Sequence, residues 1–223
     1  MSLGYIFLVL VHILLFVYWL GSDLGVFYSA KYVADPTLSL ETRRTVMKIV
    51  HFIDLFPRMT LVLTLPAGAT LALLGGYATL SPGWEWPVLA AIWIAGLVWL
   101  VLVVKIYEAP DAGLTRIDYA VRYTVIVSLV ALGVLSLLGK GPVVPGANWL
   151  AIKLIIFAII IGLGLGIRVA FKPFAIAFGQ LVAHGSTPEI EAAMERAHAN
   201  VRPVVLALWA ALVVEAFLGL SKI

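Results

Sequence analysis

Six long apolar stretches constrain this chain of 223 residues more than any other feature of its sequence. A helix needs about 20 predominantly apolar residues to cross a bilayer. The stretches are continuously apolar, whereas the strands of a membrane barrel alternate between apolar and polar residues. The sequence therefore predicts an all-α, polytopic transmembrane bundle that forms one domain over residues 1–223, with spans near residues 3–24, 49–76, 88–105, 117–138, 149–169 and 203–220.

The composition excludes several other classes of protein. Hydrophobic residues make up 63% of the chain and charged residues 12%, against about 45–50% and about 25% in soluble domains. A soluble enzyme, a disordered chain and a nucleic-acid-binding domain are therefore excluded, and the lipid bilayer is the expected partner. Cysteine is absent, which excludes thiolate chemistry. No dinucleotide or phosphate-loop fingerprint is found, so no nucleotide cofactor is expected.

The distribution of basic residues predicts the orientation. Twelve of the 15 Lys and Arg residues lie in or beside the loops after spans one, three and five, and the other three are Lys140, Lys153 and Lys222. Lys and Arg accumulate on the cytoplasmic side of membrane proteins. We therefore expect a bacterial-type inner membrane protein with these three loops in the cytoplasm and both termini outside. The segment Ser186–Glu189 has the pattern of a helix start, which predicts a short cytoplasmic helix over residues 188–200.

Three ionisable residues lie inside the predicted spans near the outer surface. His12, Lys153 and Glu215 are each roughly 6–14 Å deep at a helix rise of about 1.5 Å per residue, so we expect them to converge. Trp19 and Asp23 share the helix face of His12. Ionisable residues at such depth are costly and usually functional.

Haem chemistry accounts for this outer group. A neutral histidine is a good axial ligand for haem iron, which makes His12 a candidate ligand. Lys153 would pair either with a porphyrin propionate or with Glu215. In the alternative interpretation, Lys153 reaches toward the membrane surface, and its contact with Glu215 or that of His12 only helps the helices to pack.

A second polar group lies on span two, near the other membrane boundary. His51, Asp54 and Arg58 are spaced by three and four residues, so they lie along one stripe of a helix. Pro57 interrupts this stripe and Pro66 follows it, and each proline tends to kink a helix. Because kinks beside buried charges often mark cavities, the pattern favours a functional or gating role for Asp54, Pro57 and Arg58.

Three interpretations of this second group stay open. His51 is a candidate second haem ligand, but it lies about 15 Å from His12 in depth, so the two cannot bind one iron. A divalent metal is the second interpretation, because Glu-x-x-His places two ligands on one helix face; its ligands would be His51, Asp54, Glu195 and His198. In the third, Asp54 and Arg58 form an ion pair on the rim, and the histidines at 184 and 198 are solvated.

Span five contains the glycine-rich run Ile-Gly-Leu-Gly-Leu-Gly. Gly162 and Gly166 form a Gly-x-x-x-Gly pair. In an apolar span this pattern indicates close helix packing rather than phosphate binding. An oligomer that associates through the Gly162/Gly166 face is therefore expected.

Short motifs resemble a superfamily of small membrane proteins. Residues 12–21 read His-Ile-Leu-Leu-Phe-Val-Tyr-Trp-Leu-Gly, a first span with a His followed by Trp-x-Gly. This pattern resembles the copper-resistance D family, the amino-terminal membrane part of bacterial membrane urate oxidases, and the membrane-bound protoporphyrinogen IX oxidases. Trp149 to Lys153 and Asn200 to Pro203 are similar to segments of the last family. The resemblance covers spans one, two, five and six. It implies that His12 holds haem and that Lys153 contacts the porphyrin.

Three functions follow from these observations. The first is a haem-b-binding membrane oxidoreductase or electron carrier, acting on a porphyrin or quinone-type substrate or on another membrane redox protein; if it is an enzyme, it is a haem-dependent oxidoreductase. The second is a transporter of a metal ion or small solute that uses the Pro-kinked second span. The third is an accessory subunit of a membrane complex. We favour the first, with His12, Trp19, Lys153, His51 and Arg58 as the cofactor-binding residues.

Overall fold

The computed structural model describes residues 2–222 and consists of six helices joined by short loops. Their bounds are α1 (Leu3–Val33), α2 (Leu40–Leu74), α3 (Glu85–Glu108), α4 (Ala112–Leu137), α5 (Asn148–His184) and α6 (Pro188–Ser221). No strand occurs within residues 2–222, apart from one isolated bridge between Ala78 and Val143. The predicted all-α fold is confirmed.

Local side-chain contacts fix where the helices begin. At the amino-terminal caps the side-chain oxygens of Ser2, Ser39, Asp111 and Thr187 each accept a hydrogen bond from a backbone N–H of the first turn. Such caps satisfy donors that have no partner inside the helix. Thr187 confirms the predicted helix start. Residues 188–200 are helical, as predicted, but they are the first part of α6, which continues without interruption through Pro203, and not a separate short helix.

The loops gather at two ends of the bundle. The end that contains the α2–α3 and α4–α5 loops is called the opposite end. There Thr79 donates to the carbonyl of Pro142 and Val144 donates to the carbonyl of Tyr77, and these two hydrogen bonds join the loops. The loops α1–α2, α3–α4 and α5–α6 lie at the other end, called the basic end. There the α1–α2 loop contains Asp35, whose pKa is lowered by hydrogen bonds from the side chain and backbone of Thr37.

Helices that follow one another in sequence pack most closely. α1 packs on α2 and α5 on α6 along most of their lengths, with α3 added to the first pair and α4 to the second. α1 meets α6 at few positions, as α2 meets α5. A shared apolar core that includes Trp19, Trp99 and Phe157 fills the centre. The polar groups of interest therefore lie above and below an apolar layer.

Five of the six helices, α1, α3, α4, α5 and α6, are long and apolar enough to cross a membrane. This is the architecture of a multi-pass membrane protein. α2 is not among the five, and it is the least hydrophobic of the six helices because it carries charged residues, two prolines and several threonines. The sixth predicted span, 49–76, stays a prediction.

The contact between α4 and α5 gives a direct test of the packing. A Cβ added at Gly133 would lie 2.8 Å from the backbone oxygen of Ala151, so the two helices would have to separate. We expect Gly133→Ala to lower the free energy of unfolding by about 1–3 kcal/mol, the usual cost of overpacking. Thermal unfolding of the detergent-purified protein measures this. Gly164→Ala is the matched control, because among residues 2–222 nothing lies within 4 Å of its added Cβ; equal melting of both variants would contradict the close contact.

Candidate functional site

His12 of α1 points into the bundle toward α2. The edge of its ring lies against Gly68, where a Cβ would come within 3.3 Å of the imidazole Cε1. Its Nδ1 is buried and has no hydrogen-bond partner in the described part of the chain. Lys153 of α5 lies within electrostatic range of His12. Gly68 thus leaves room for the His12 imidazole, and the Nδ1 atom of this ring forms no hydrogen bond within the described part of the chain.

Lys153 and Glu215 form a pair between α5 and α6. The Lys153 ammonium donates to the backbone oxygen of Glu215 at 2.7 Å and lies 3.1 Å from Glu215 Oε2. The ammonium also sits over Gly219, where an added Cβ would meet it at 3.0 Å. Glu215 Oε1 is buried without a partner within residues 2–222. The predicted contact between Lys153 and Glu215 is confirmed, and with His12 it forms a polar site near the opposite end of the bundle.

The two other residues on the His12 face lie deeper in the bundle. Trp19 is buried in the core, where its ring meets Phe157 edge-on with centroids 6.1 Å apart. Asp23 lies beside Trp209 of α6 and within electrostatic range of Asp54 and Arg58. Trp19 therefore belongs to the apolar layer below His12, whereas Asp23 faces the polar group of the basic end.

The stripe on α2 forms an ion pair. Arg58 Nε donates to Asp54 Oδ2 at 2.8 Å, and Arg58 Nη2 contacts the same oxygen. α2 continues through Pro57 and Pro66 without a break. The hydroxyl of Thr60 bonds the carbonyls of Phe56 and Pro57, which supports the backbone around the proline. The rim ion pair is confirmed, and the two prolines leave the helix intact.

His51 lies at the edge of this region rather than inside it. Its ring stacks on Tyr107 of α3 with centroids 4.2 Å apart, and the Tyr107 hydroxyl donates to the backbone oxygen of His51. Because His12 meets α2 at Gly68, 17 residues from His51, the two histidines are roughly 25 Å apart along the helix. They cannot bind a single iron, as the sequence predicted.

The four-residue metal site is not formed. His198 packs against the rings of Phe27 and Phe174, with centroids 6.4 Å from each. Glu195, one turn earlier, is exposed at the surface. No group of three or more metal-ligating His, Asp or Glu side chains occurs among residues 2–222. The metal interpretation is therefore wrong for His51, Asp54, Glu195 and His198, because the α6 residues face a different part of the bundle.

A cluster around Asp118 of α4 lies outside the candidate site residues that the sequence predicted. Its Oδ2 accepts from Arg122 Nε at 2.9 Å and from Arg168 Nη1 of α5 at 2.7 Å, and its Oδ1 accepts from Trp99 Nε1 of α3 at 2.8 Å. Asp118 is completely buried. The spacing of Asp118 and Arg122 is a helical i, i+4 pair and could have been found, whereas Trp99 and Arg168 come from other helices.

Arg43 of α2 is a second residue that the sequence did not single out. It is 2% exposed and forms a two-pronged pair with Glu191 of α6, at 2.7 and 2.9 Å. Its Nε also donates to the backbone oxygen of Val33 at 2.7 Å. Arg43 thus ties the end of α1 to the starts of α2 and α6, a structural role that holds the basic end together.

The glycine run of α5 packs closely at one position only. Gly166 approaches Val204 of α6, which would lie 3.5 Å from an added Cβ. In the chain from Ser2 to Lys222 nothing lies within 4 Å of a Cβ added at Gly162 or at Gly164. Gly162 is therefore free of close packing in the single chain, so the expected Gly162/Gly166 oligomer face stays a prediction.

Comparisons with family models, with curated proteins and with solved structures find no match to this chain. The functional argument therefore rests on the geometry of two polar regions. The polar site of His12, Lys153 and Glu215 lies in the half of the bundle nearer the opposite end. The groups of Asp54 and Asp118 lie at the basic end.

Proposed function

We propose that this protein is a haem-b-binding membrane oxidoreductase or electron carrier in which His12 would ligate the haem iron. The main support for this proposal is that His12 Nδ1 is buried and has no hydrogen-bond partner in the described chain. Buried polar atoms are nearly always hydrogen-bonded, and an unpaired nitrogen inside a membrane protein needs an explanation. Neutral imidazole is a common ligand of haem iron, and a bound haem would supply the missing partner.

The surrounding residues are compatible with a porphyrin. Lys153 has three ammonium hydrogens, of which the Glu215 backbone and carboxylate engage two. The third is available for a propionate. α1 contacts α6 at few positions, so a planar group would enter between these helices with little loss of packing. Trp19 would close the apolar side of the site.

When bound, haem iron changes between two oxidation states and supplies one-electron transfer. The chain's own residues would hold and orient the group. His12 would ligate the iron, Lys153 would neutralise a propionate, and the apolar layer around Trp19 and Phe157 would exclude water. Arg58 and His51 lie at the other end of the bundle, so they are not part of this His12 site. A porphyrin, a quinone or another membrane redox protein is the proposed partner.

The proposal includes a topology. Six spans with both termini outside place the basic end in the cytoplasm of a bacterial-type inner membrane, in accord with the positive-inside rule. An oligomer through the Gly162/Gly166 face is a further part of the proposal, supported by the open space beside Gly162.

An absorption spectrum tests the proposal. The detergent-purified protein, expressed with ample haem supply, is measured after air oxidation and again after dithionite reduction. We expect a Soret band that sharpens and shifts on reduction, together with resolved α and β bands. A spectrum without visible bands would overturn the haem function.

A further inference from the structure

The second polar region lies at the basic end, about three to five helix turns along α2 from the His12 contact. A pocket of about 200 Å³ opens between α2, α3, α4 and α5, and its polar lining consists of His51, Asp54, Arg58, Tyr107, Asp118 and Arg168. Its rim includes Pro110 of the α3–α4 loop and the exposed His51. Cofactor sites usually measure about 300–1,000 Å³, whereas one water occupies about 30 Å³. The pocket therefore fits a small group and not a haem.

The pocket lining holds two carboxylates, Asp54 and Asp118, and two guanidinium groups, Arg58 and Arg168. An excess of positive charge arises beside it, because Arg122, which is not among the lining residues, also bonds Asp118. That single carboxylate accepts hydrogen bonds from two guanidinium groups, those of Arg122 and Arg168. Arg122 is 2% exposed, and its Nη2 is buried with no hydrogen-bond partner among residues 2–222. A buried charge without full compensation is costly. One negative charge is therefore missing on the Arg122 and Arg168 side.

The other charged groups do not supply that negative charge. Asp54 forms an ion pair with Arg58 on the same helix, so its negative charge is already balanced. Asp23 of α1 acts electrostatically on Asp54 and Arg58, and thus lies on the α2 side of the site. His51 is stacked on Tyr107. Arg58 and Arg168 line the pocket from opposite sides, on α2 and α5.

We propose that this pocket binds one oxyanion, a phosphate or carboxylate group, between Arg168 and Arg58. Guanidinium groups bind such anions through paired N–H donors in a fixed geometry. The anion supplies the charge that Asp118 alone does not provide. Its source is either a small soluble anion or the phosphate headgroup of an acidic lipid, since both present the same chemistry at this depth. The site is separate from the His12 site and does not depend on haem.

Phosphate titration of the protein in phosphatidylcholine nanodiscs tests the proposal. The melting temperature is followed as sodium phosphate replaces sodium chloride at constant ionic strength. We expect a saturable rise in the wild type and an apparent affinity at least about tenfold weaker in Arg168→Gln, the loss of one charge-assisted hydrogen bond. Arg116→Gln is the matched control, because Arg116 is an exposed arginine of the same helix as Asp118. It should bind like the wild type.

A second arm identifies the source of the anion. In nanodiscs that contain phosphatidic acid, a rise in melting temperature that Arg168→Gln abolishes, without any effect of free phosphate, assigns the site to a lipid headgroup. Arg58→Gln provides the same comparison if Arg168→Gln does not fold. The proposal is overturned if neither phosphate nor phosphatidic acid stabilises the wild type. It is also overturned if Arg116→Gln loses the effect as much as the pocket variant does.

Discussion

Asp118→Asn is expected to lower the free energy of unfolding by about 3–5 kcal/mol, the cost of removing one partner from a buried ion pair. The asparagine keeps the shape of the side chain but loses its charge. Arg122 and Arg168 would then face each other across a buried site without the carboxylate that both now contact. Trp99 Nε1 would keep an acceptor, so the loss would come from charge rather than from packing.

Thermal unfolding in detergent, followed by tryptophan fluorescence, measures this effect. Asp111→Asn is the matched control: it changes the same residue type on the same helix, at an exposed cap where asparagine is about as good as aspartate. If Asp118→Asn melted at the temperature of Asp111→Asn, the two guanidinium groups would not depend on Asp118. The charge argument for the pocket at the basic end would then fail as well.

The apolar pattern predicted the helices well because hydropathy records directly which segments avoid water. It placed their ends less well. α1 continues to Val33 and α5 to His184, nine and fifteen residues beyond the predicted ends near 24 and 169. These extensions contain polar residues such as Lys31 and Lys172, so a hydropathy pattern ends before the helix does. Capping residues gave the better boundary at Thr187, because a cap is a local contact.

Pairs within one helix could be predicted, and pairs between helices mostly could not. Asp54 and Arg58 are four residues apart, so helix geometry alone brings them together. The contact between Lys153 and Glu215 could be predicted only from their similar depth along the membrane normal. Depth does not say where two residues lie within the membrane plane. Arg43 and Glu191 are 148 residues apart, and no local pattern relates them. Their pairing depends on how α2 and α6 rotate about their axes.

Helix rotation also explains why the metal interpretation failed. Glu195 and His198 share one helix face by their spacing, but that spacing does not say which neighbour the face meets. In the structure His198 turns toward the rings of Phe27 and Phe174, whereas His51 stacks on Tyr107. The spacing of Glu195 and His198 is therefore a correct local motif, but the packing of the helices keeps this pair away from His51.

His12→Ala is expected to abolish haem retention while the protein still inserts and folds. An axial imidazole provides the bond between iron and protein, and Lys153 alone offers a propionate only one ammonium hydrogen. The alanine would leave a gap beside Gly68, so a modest loss of stability is also expected. Haem per protein, measured from the reduced-minus-oxidised spectrum after purification, should fall to near zero in this variant.

Two further histidine variants test whether the loss of haem is specific to His12. His184→Ala changes an exposed residue at the end of α5, and it should retain the full haem content. His51→Ala should retain it too, because His51 lies roughly 25 Å from the His12 contact along α2. Undiminished haem in His12→Ala would remove the assignment of this ligand. Loss of haem in His51→Ala alone would move the proposed centre to the basic end, next to the oxyanion pocket.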